Sequence, residues 1–313
     1  MKQAVTAFAP ATVANVGCGY DIFGFAIDEP GDIVSVSVGS HKGVKILNIS
    51  GDGGRLPKIA EQNTAGFAVL RFLEKIQSGQ GINIKLTKQL PLGSGMGSSA
   101  ASSVAALIAV NHLFDEPLHK SELLTIAMEA EKLACGAAHA DNVAPALFGG
   151  FILIRENNPP DIIELPVPEN LFCTIVHPEI EIKTLDARKI IEPFIPLTDA
   201  VKQWANTAGL VAGLYKNDLE LIGRSLTDHI IEPRRARLIP HFDEVKNTAI
   251  AGGAIGCSIS GSGSSIFALS SSLKKAQKIA DSTSAVFSQY SIENQVYISK
   301  INRTGARILD EKD

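Results

Sequence analysis

The sequence predicts an α+β protein of two domains, and three observations support this class. Segments with strand-like alternation recur among segments with helical periodicity along all 313 residues. The length suits one large or two ordinary domains, and 45% hydrophobic residues can fill their cores. An Asn-Asn-Pro-Pro run at 157–160 interrupts the pattern near the middle of the chain. We therefore expect an N-terminal domain over residues 1–157 and a C-terminal domain over residues 158–313.

The N-terminal half is predicted to be rich in strands. Residues 5–9 form a strand that ends at Pro10, and the alternating runs 33–38 and 44–49, joined by a glycine-flanked turn, predict a hairpin. Asn63 has the position of an N-cap for a helix that buries its apolar side. The remaining predicted elements are helices over 64–76, 98–113 and 121–135 and strands over 82–87 and 148–154.

The C-terminal half alternates strands and helices and predicts an α+β sandwich. A second glycine-rich segment, residues 252–265, leads directly into the apolar run 266–269. The predicted strands cover 171–176, 266–269 and 295–298, and the predicted helices cover 198–215, 218–228 and 273–290.

A glycine- and serine-rich stretch at residues 91–103 is the strongest functional signal. Gly93, Gly95 and Gly97 stand at every second position between a predicted strand and a predicted helix beginning near Ser98. Glycines allow a tight turn with bare N–H groups, and the helix adds unpaired donors and the positive end of its dipole. This arrangement predicts a phosphate-binding loop.

Two other nucleotide motifs do not fit this stretch. A P-loop requires a lysine directly after its last glycine, and none is present. A dinucleotide-binding unit requires a second parallel strand that ends in an acidic residue, whereas another helical pattern follows here. A purely structural tight turn stays open as the alternative.

Polar residues outside the glycine stretch are further candidates. Asn15 and Asp21 lie in a glycine-bearing loop, where they either orient a polar ligand or serve as ordinary turn residues. Glu129 and Glu131 lie in the last turns of the predicted helix 121–135. The Gly/Ala-rich segment 136–145 that follows contains a polar cluster around His139, which favours a site near this helix end.

Charge and cysteine content limit the expected partners. The net charge is −4 with scattered basic residues, so no nucleic-acid or anionic membrane partner is expected. No window offers the ~20 consecutive apolar residues of a membrane span. The four cysteines stand far apart without a C-x-x-C pair, so we expect reduced thiols. The N-terminus lacks a signal-peptide pattern, so we expect a cytoplasmic protein. The expected partner is a small-molecule substrate.

Three separated motifs resemble those of the GHMP small-molecule kinases. They are residues 9–21 with Asn15, Gly19 and Asp21, residues 91–102, and residues 256–265, and together they cover nearly the whole chain in the order of that family. The resemblance implies the two-domain GHMP kinase fold. Its N-terminal domain is like ribosomal protein S5 domain 2, and its C-terminal domain is a ferredoxin-like α/β sandwich.

Three more segments resemble the branch of this family that phosphorylates L-homoserine. They are residues 139–145, residues 176–188 and residues 232–240. The resemblance implies transfer of the γ-phosphoryl group of ATP, with Mg²⁺, to the hydroxyl of L-homoserine. The product is O-phospho-L-homoserine for threonine biosynthesis, and the expected assembly is a homodimer.

The resemblance also implies the roles of individual residues. Mg²⁺ is assigned to Glu131 with Ser98 or Ser99, and Glu131 is preferred to Glu129 because it lies eight residues before His139. The substrate amino and carboxylate groups are assigned to Asn15, Asp21, His139, Arg188 and Arg235, a charge set that suits a zwitterion. No general base is assigned. The nucleotide is assigned to Asn63 near the adenine and to Pro91, Leu92, Gly93, Ser94, Gly95, Met96, Gly97, Ser98, Ser99, Ala100, Gly261 and Gly263.

Two alternative functions stay open. A GHMP kinase for another small alcohol would not need the segments around Arg188 and Arg235, and a non-catalytic ligand sensor would be expected to lose the cradle glycines or the magnesium serines. The chain departs from the family pattern with Cys18, Lys132 and Ser264, where proline, glycine and proline are common. None of these departures removes a charge or a ligand.

Overall fold

The computed structural model describes residues 3–136 and 138–309, without the side chains of residues 134 and 135. The strands are β1 (Ala4–Ala14), β2 (Phe23–Gly39), β3 (Val44–Ser50), β4 (Gly81–Thr87), β5 (Phe151–Asn157), β6 (Pro160–Leu165), β7 (Phe172–Pro178), β8 (Gly256–Ile259), β9 (Ile266–Ser270), β10 (Asn294–Lys300) and β11 (Arg307–Leu309). The helices are α1 (Thr64–Lys75), α2 (Ser98–Leu113), α3 (Lys120–Cys135), α4 (Ala140–Phe148), α5 (Thr184–Lys189), α6 (Leu197–Lys216), α7 (Leu219–Ser225), α8 (Glu232–Arg235), α9 (Phe242–Ala251) and α10 (Leu273–Gln289).

The first sheet has seven strands and is organised around β2. Its order is β11-β1-β2-β4-β3, and β5 pairs with the start of β2 and carries β6. The 17 residues of β2 pair along their length with β1, while β4 takes residues 33–39 and β5 takes residues 23–25. The two ends of β2 therefore pair with different strands, β5 at its start and β4 at its end.

Helix α2 is the centre of the N-terminal core. It packs against β1 and β2 and against α1, α3 and α4. Nearly all of its residues are buried, and the apolar ones lie on every side rather than in one stripe. Its many alanines and serines let the surrounding elements approach closely. The N-terminus of a fully buried helix is thereby fixed in the interior, at the edge of a cavity.

The second sheet is antiparallel and has the order β10-β7-β9-β8. Helices α9 and α10 pack against it, and the apolar side chains between them include Val245, Ile279, Val286 and Phe287. The α+β class is confirmed. The thiols of Cys18, Cys173 and Cys257 are buried and unpaired, whereas the side chain of Cys135 lies outside the described part.

Several predicted elements are confirmed and three details are wrong. Helices α1, α2, α3, α6 and α10 lie within a few residues of their predicted bounds. The predicted hairpin of residues 33–38 and 44–49 does not form, because β4 inserts between β2 and β3 and pairs with both. Strand β1 continues past Pro10 through an irregularity between Pro10 and Thr12. The polar segment after His139 forms helix α4, which the sequence analysis did not predict.

The division of the chain at residue 157 stays a prediction. Asn157 and Pro160 face each other at the turn of the β5–β6 hairpin, and β11 returns to pair with β1. In the described residues a division that keeps the first sheet whole would follow β6 and leave β11 with the N-terminal part. None of the helices over 3–136 and 138–309 combines the length and apolar content that a membrane crossing requires.

Candidate active site

A cavity of about 570 Å³ lies at the N-terminus of α2. One end is lined by Leu56, Pro57, Gln62 and Asn63, and its middle by the glycine loop before α2. The other end is lined by ionisable side chains from four separate segments. These are Asp21, His139, Arg188 and Arg235.

The glycine loop adopts backbone angles that favour glycine. Gly93, Gly95 and Gly97 have φ values of +67°, +78° and +67°. A Cβ atom at Gly95 would lie 2.3 Å from the Ser260 carbonyl oxygen, and one at Gly97 would lie 2.0 Å from Thr12 Oγ1. The glycines are therefore required both by conformation and by close approach. They leave the loop and the first turn of α2 facing the cavity, as an anion site requires.

The three motifs converge at this loop. Ser260 Oγ donates to the Gly95 carbonyl oxygen at 2.8 Å, and the Ser265 N–H donates to the Ser94 carbonyl oxygen at 3.0 Å. The Gly261 N–H donates to the carbonyl oxygen of Ala14 at 3.1 Å. Segments separated by up to 250 residues in the chain thus form one hydrogen-bonded unit, with the glycine loop in the middle.

A serine and a glutamate meet at the N-terminus of α2. The Ser99 hydroxyl lies 3.0 and 2.9 Å from the two carboxylate oxygens of buried Glu131. Ser98 instead donates to the Leu90 carbonyl oxygen, at 3.3 Å. Glu129 lies on another face of α3, where it forms an ion pair of 2.7 Å with Arg71. The Ser99–Glu131 pair supplies oxygen donors of the kind that Mg²⁺ takes beside phosphate oxygens.

Such a metal would depend on phosphate oxygens as well. Within the described residues there is no group of three or more His, Cys, Asp and Glu side chains that could hold a metal ion. One carboxylate and one hydroxyl leave most positions of an octahedral ion to water and nucleotide, which is the usual arrangement for Mg²⁺. The residues present therefore fit an ion that arrives with its nucleotide.

A buried ion pair lies beneath the first turn of α2. Lys88 forms an ion pair with Asp32, and its ammonium also donates to the Ser98 carbonyl oxygen and to Ser102 Oγ, both at 2.8 Å. Asp32 accepts further hydrogen bonds from Ser102 and from the Gln89 N–H. Burial lowers the pKa of Lys88, and the charge of Asp32 opposes this shift. All three ammonium protons have partners, so Lys88 anchors the start of α2.

Asp21 and Arg188 form a two-pronged ion pair at the charged end of the cavity. Their nitrogen and oxygen atoms are 2.8 and 3.0 Å apart, and Arg188 also donates to the Tyr20 hydroxyl at 2.8 Å. Burial opposes the charge of Arg188, but hydrogen bonds and attraction from Asp21 raise its pKa. The Nε atom of Arg188 is buried and has no partner among the described residues.

Arg235 is a buried cation without a carboxylate partner in the described chain. It is 2% exposed, and its guanidinium donates only to the carbonyl oxygens of Ala187, at 3.2 Å, and Gly261, at 3.0 Å. It also lies over the ring of Tyr20, 5.0 Å from the centroid. Burial lowers its pKa. Since an unpaired buried charge is costly, this site favours an anionic ligand.

Three more polar groups complete this end of the cavity. Asn15 accepts from the Asp21 N–H at 3.0 Å and donates to the Gly261 carbonyl oxygen at 2.7 Å. His139 Nδ1 lies 3.7 Å from Asp21 and is buried without a hydrogen-bond partner in the described part of the chain. Burial lowers the pKa of His139, so the imidazole is neutral at pH 7. Burial, with the charges of Asp21 and Glu131, raises the pKa of Asp141 to about 7.

Most predicted site residues line this cavity, and four do not. Met96 and Ala100 have fully buried side chains in the core, and Pro91 and Gly263 shape the loops without lining it. Asn63 lines the cavity, but its side chain caps α1 through Ala65 and Gly66, as its sequence position predicts. The lining residues among the predicted set are Asn15, Asp21, Asn63, Leu92, Gly93, Ser94, Gly95, Gly97, Ser98, Ser99, Glu131, His139, Arg188, Arg235 and Gly261.

The sequence analysis missed several residues of the site. Lys88 and Asp141 line the cavity, and Tyr20 lies between the two arginines. Asn142 also lines the cavity and accepts a hydrogen bond of 2.7 Å from Thr12. Lys88 lies three residues before the glycine stretch, and Asp141 and Asn142 belong to the polar segment after α3. Their positions in the sequence were therefore the signal that could have identified them.

Comparison with known families defines the class of this protein. The family model described as "GHMP kinases N terminal domain" matches residues 63–150, and the one described as "GHMP kinases C terminal" matches residues 210–289. The structure also resembles that of L. major mevalonate kinase in complex with R-mevalonate, with a TM-score of 0.74 at 17% identity over 94% of this chain and 95% of that one. That likeness shows a shared fold. The chain belongs to the GHMP kinase family.

Full-length relatives narrow the family to one branch. Homoserine kinase of Chlorobium phaeobacteroides (strain BS1) is 49% identical over 98% of this chain and 100% of its own length. A crystal structure of homoserine kinase from Cytophaga hutchinsonii ATCC 33406 is 55% identical, with a TM-score of 0.96 over 99% of this chain and 98% of that one. The homoserine kinases are therefore the branch of the family to which this chain belongs.

Proposed function

We propose that this protein transfers the γ-phosphoryl group of ATP to the hydroxyl of L-homoserine, giving O-phospho-L-homoserine for threonine biosynthesis. The observation that carries the proposal is the charge pattern of the cavity. A glycine cradle for phosphates at the N-terminus of α2 opens toward a pair of arginines and an aspartate that match an amino-acid zwitterion.

The nucleotide end of the site is assigned to the loop before α2. The backbone N–H groups over residues 93–99 bind the phosphates, and the apolar wall of Leu56 and Pro57 receives the base, beside Asn63. Ser99 and Glu131 would hold Mg²⁺, which neutralises phosphate charge when bound. Lys88 fixes the backbone of Ser98 and so holds Ser99 in place.

The substrate end is assigned to the charged cluster. Arg235, with Arg188 beside it, binds the carboxylate of the substrate, because Arg235 is the buried cation that lacks an anionic partner among the described residues. Asp21 binds the ammonium group of the substrate. This new ion pair replaces part of the interaction between Asp21 and Arg188. The nitrogens of His139 and Arg188 that lack a hydrogen-bond partner among the described residues gain one from the same ligand. Asn15 holds the loop that carries Asp21.

Positioning and charge neutralisation account for the catalysis. Phosphoryl transfer has a loose transition state, so the protein mainly aligns the hydroxyl with the γ-phosphate and stabilises the charge on the phosphate oxygens. We assign no side chain as general base. The finer expectations of Mg²⁺ dependence, a cytoplasmic location and a homodimer remain proposals of the same kind.

The test is turnover on a panel of alcohols. ADP release, coupled to a spectrophotometric readout, is measured with ATP and Mg²⁺ on L-homoserine, L-serine, mevalonate, galactose and shikimate. We expect turnover on L-homoserine alone. Turnover on another alcohol only would contradict the substrate assignment, and nucleotide binding without any turnover would favour the ligand sensor.

A matched pair of variants on α3 tests the metal assignment in the same assay. Glu131→Gln should lower kcat at least about a hundredfold, because it removes one anionic metal ligand. Glu129→Gln is the control, since this glutamate is 40% exposed and paired with Arg71 away from the cavity. Equal losses in the two variants would refute the metal site.

A further inference from the structure

Helix α6 carries an apolar stripe most of whose side chains are exposed, with Val211 packed partly against the core. Leu197, Val201, Trp204 and Tyr215 are 70%, 52%, 61% and 63% exposed. With Ala208, which is also exposed, and half-buried Val211, they recur at intervals of three or four residues. Residues at this spacing lie on one side of a helix, so the stripe runs along the whole of α6.

The stripe is free of charge and large. At 3.6 residues per turn, the positions within about 60° of its midline are all Leu, Ala, Val, Trp or Tyr. Trp204, Tyr215 and Phe194, just before the helix, are 61%, 63% and 85% exposed. At roughly 200 Å² for each aromatic side chain, they expose roughly 400 Å² per chain, about half of what one partner buries in a standard interface. A patch of this size marks an interaction surface.

The order of residues along the stripe is symmetric about its centre. Reversing α6 about position 206 exchanges Leu197 with Tyr215, Val201 with Val211, and Trp204 with Ala208. An antiparallel pair of α6 helices related by a twofold axis requires this property, since a residue on one side of the centre must face the residue at the same distance on the other side in the second copy. The central pair also places a large side chain opposite a small one, which allows two helices to pack closely.

We propose that a second copy of this chain docks on this stripe, with the two α6 helices antiparallel and crossing near position 206. This goes beyond the expected homodimer by assigning its surface and register, and it does not depend on the phosphorylated substrate. The opposite side of α6 packs against the loop that contains Cys18 and against the turn at Asp228. There Gln203 donates to the Cys18 carbonyl oxygen and to Asp228, both at 2.9 Å, so the dimer would also support the loop of Asp21 and the turn that leads to Arg235.

The mass in solution tests the surface. Sedimentation equilibrium of the full chain at micromolar concentration should give the mass of two chains, and Trp204→Glu should give the mass of one. Leu273→Glu is the control, because Leu273 is 57% exposed at the start of α10, outside the stripe. Circular dichroism should show the same fold in all three proteins. A monomeric parent chain, or a dimer that survives Trp204→Glu, would overturn the proposal.

Cross-linking tests the register independently of any loss of folding. A double variant, Val201→Cys with Val211→Cys, should form a disulfide-linked dimer on mild oxidation, because the antiparallel register brings position 201 of one copy to position 211 of the other. Val201→Cys alone should form no more disulfide-linked dimer than the parent chain does. Cross-linking of that single variant to itself would indicate a parallel pair and contradict the proposed arrangement.

Discussion

Arg235→Met is the most direct test of how the cavity recognises its substrate. Arg235 is 2% exposed, and among the described residues its guanidinium donates only to two carbonyl oxygens, so its charge is available to a ligand carboxylate. Removing one partner of a buried hydrogen-bonded charge pair costs about 2–5 kcal/mol. Because Arg188 remains beside the ligand, we expect the lower half of this range, a loss of roughly 30- to 300-fold in kcat/KM for L-homoserine.

The stability of this variant separates a binding effect from misfolding. The Gly261 carbonyl oxygen keeps the hydrogen bond from Asn15, so only the Ala187 carbonyl oxygen loses its donor from Arg235. One unsatisfied buried acceptor costs about 1–3 kcal/mol of unfolding free energy. Urea unfolding should therefore show a folded protein. Arg234→Met is the neighbouring control, because Arg234 pairs with Glu192 at the surface.

A substrate analogue provides the decisive comparison. 3-Aminopropan-1-ol is L-homoserine without its carboxylate, so the parent enzyme should discriminate strongly against it. Arg235→Met should lose most of that discrimination while the KM for ATP stays nearly constant. The reasoning is refuted if the variant discriminates as strongly as the parent enzyme, or if Arg234→Met loses as much activity.

Two further predictions concern buried charges. Lys88→Met should lower the free energy of unfolding, measured in urea, by about 3–5 kcal/mol, because it leaves the Asp32 carboxylate buried without its cation. Adding Asp32→Asn to this variant should recover part of the lost stability. A double variant that is no more stable than Lys88→Met would contradict the pairing. Folding raises the pKa of Asp141 from 3.8 to about 7, so the folded state favours the protonated carboxyl group. The stability that this proton binding provides is complete below pH 3.8 and is lost between pH 3.8 and about pH 7. The free energy of unfolding falls by up to about 4 kcal/mol over that range. Thermal unfolding should therefore be measured for the parent chain and for Asp141→Asn at pH 5 and at pH 8. The stability of the variant relative to the parent chain should be greater at pH 8 than at pH 5. An equal difference in stability at both pH values would refute the assignment.

Local sequence signals are sufficient to predict several helices and the phosphate-binding loop. Helices α1 and α10 follow from apolar periodicity and from capping residues such as Asn63, and these signals act over a few residues. Gly95 and Gly97 could be read in the same way, because a tight turn before a helix requires glycine whatever surrounds it. The identities of Glu131, Arg188 and Arg235 came from resemblance to a family.

Which distant groups share the cavity depends on long-range packing, which the sequence patterns do not reveal. The hairpin was wrong because strand pairing depends on the whole sheet, and β4 competes successfully for the edges of β2 and β3. Whether Ser98 or Ser99 faces Glu131 depended on the rotation of α2 and α3 about their axes, which packing sets. Arg235 has no carboxylate partner among the described residues, and this too is visible only in three dimensions. Ion pairing of an arginine depends on which carboxylates the fold places beside it.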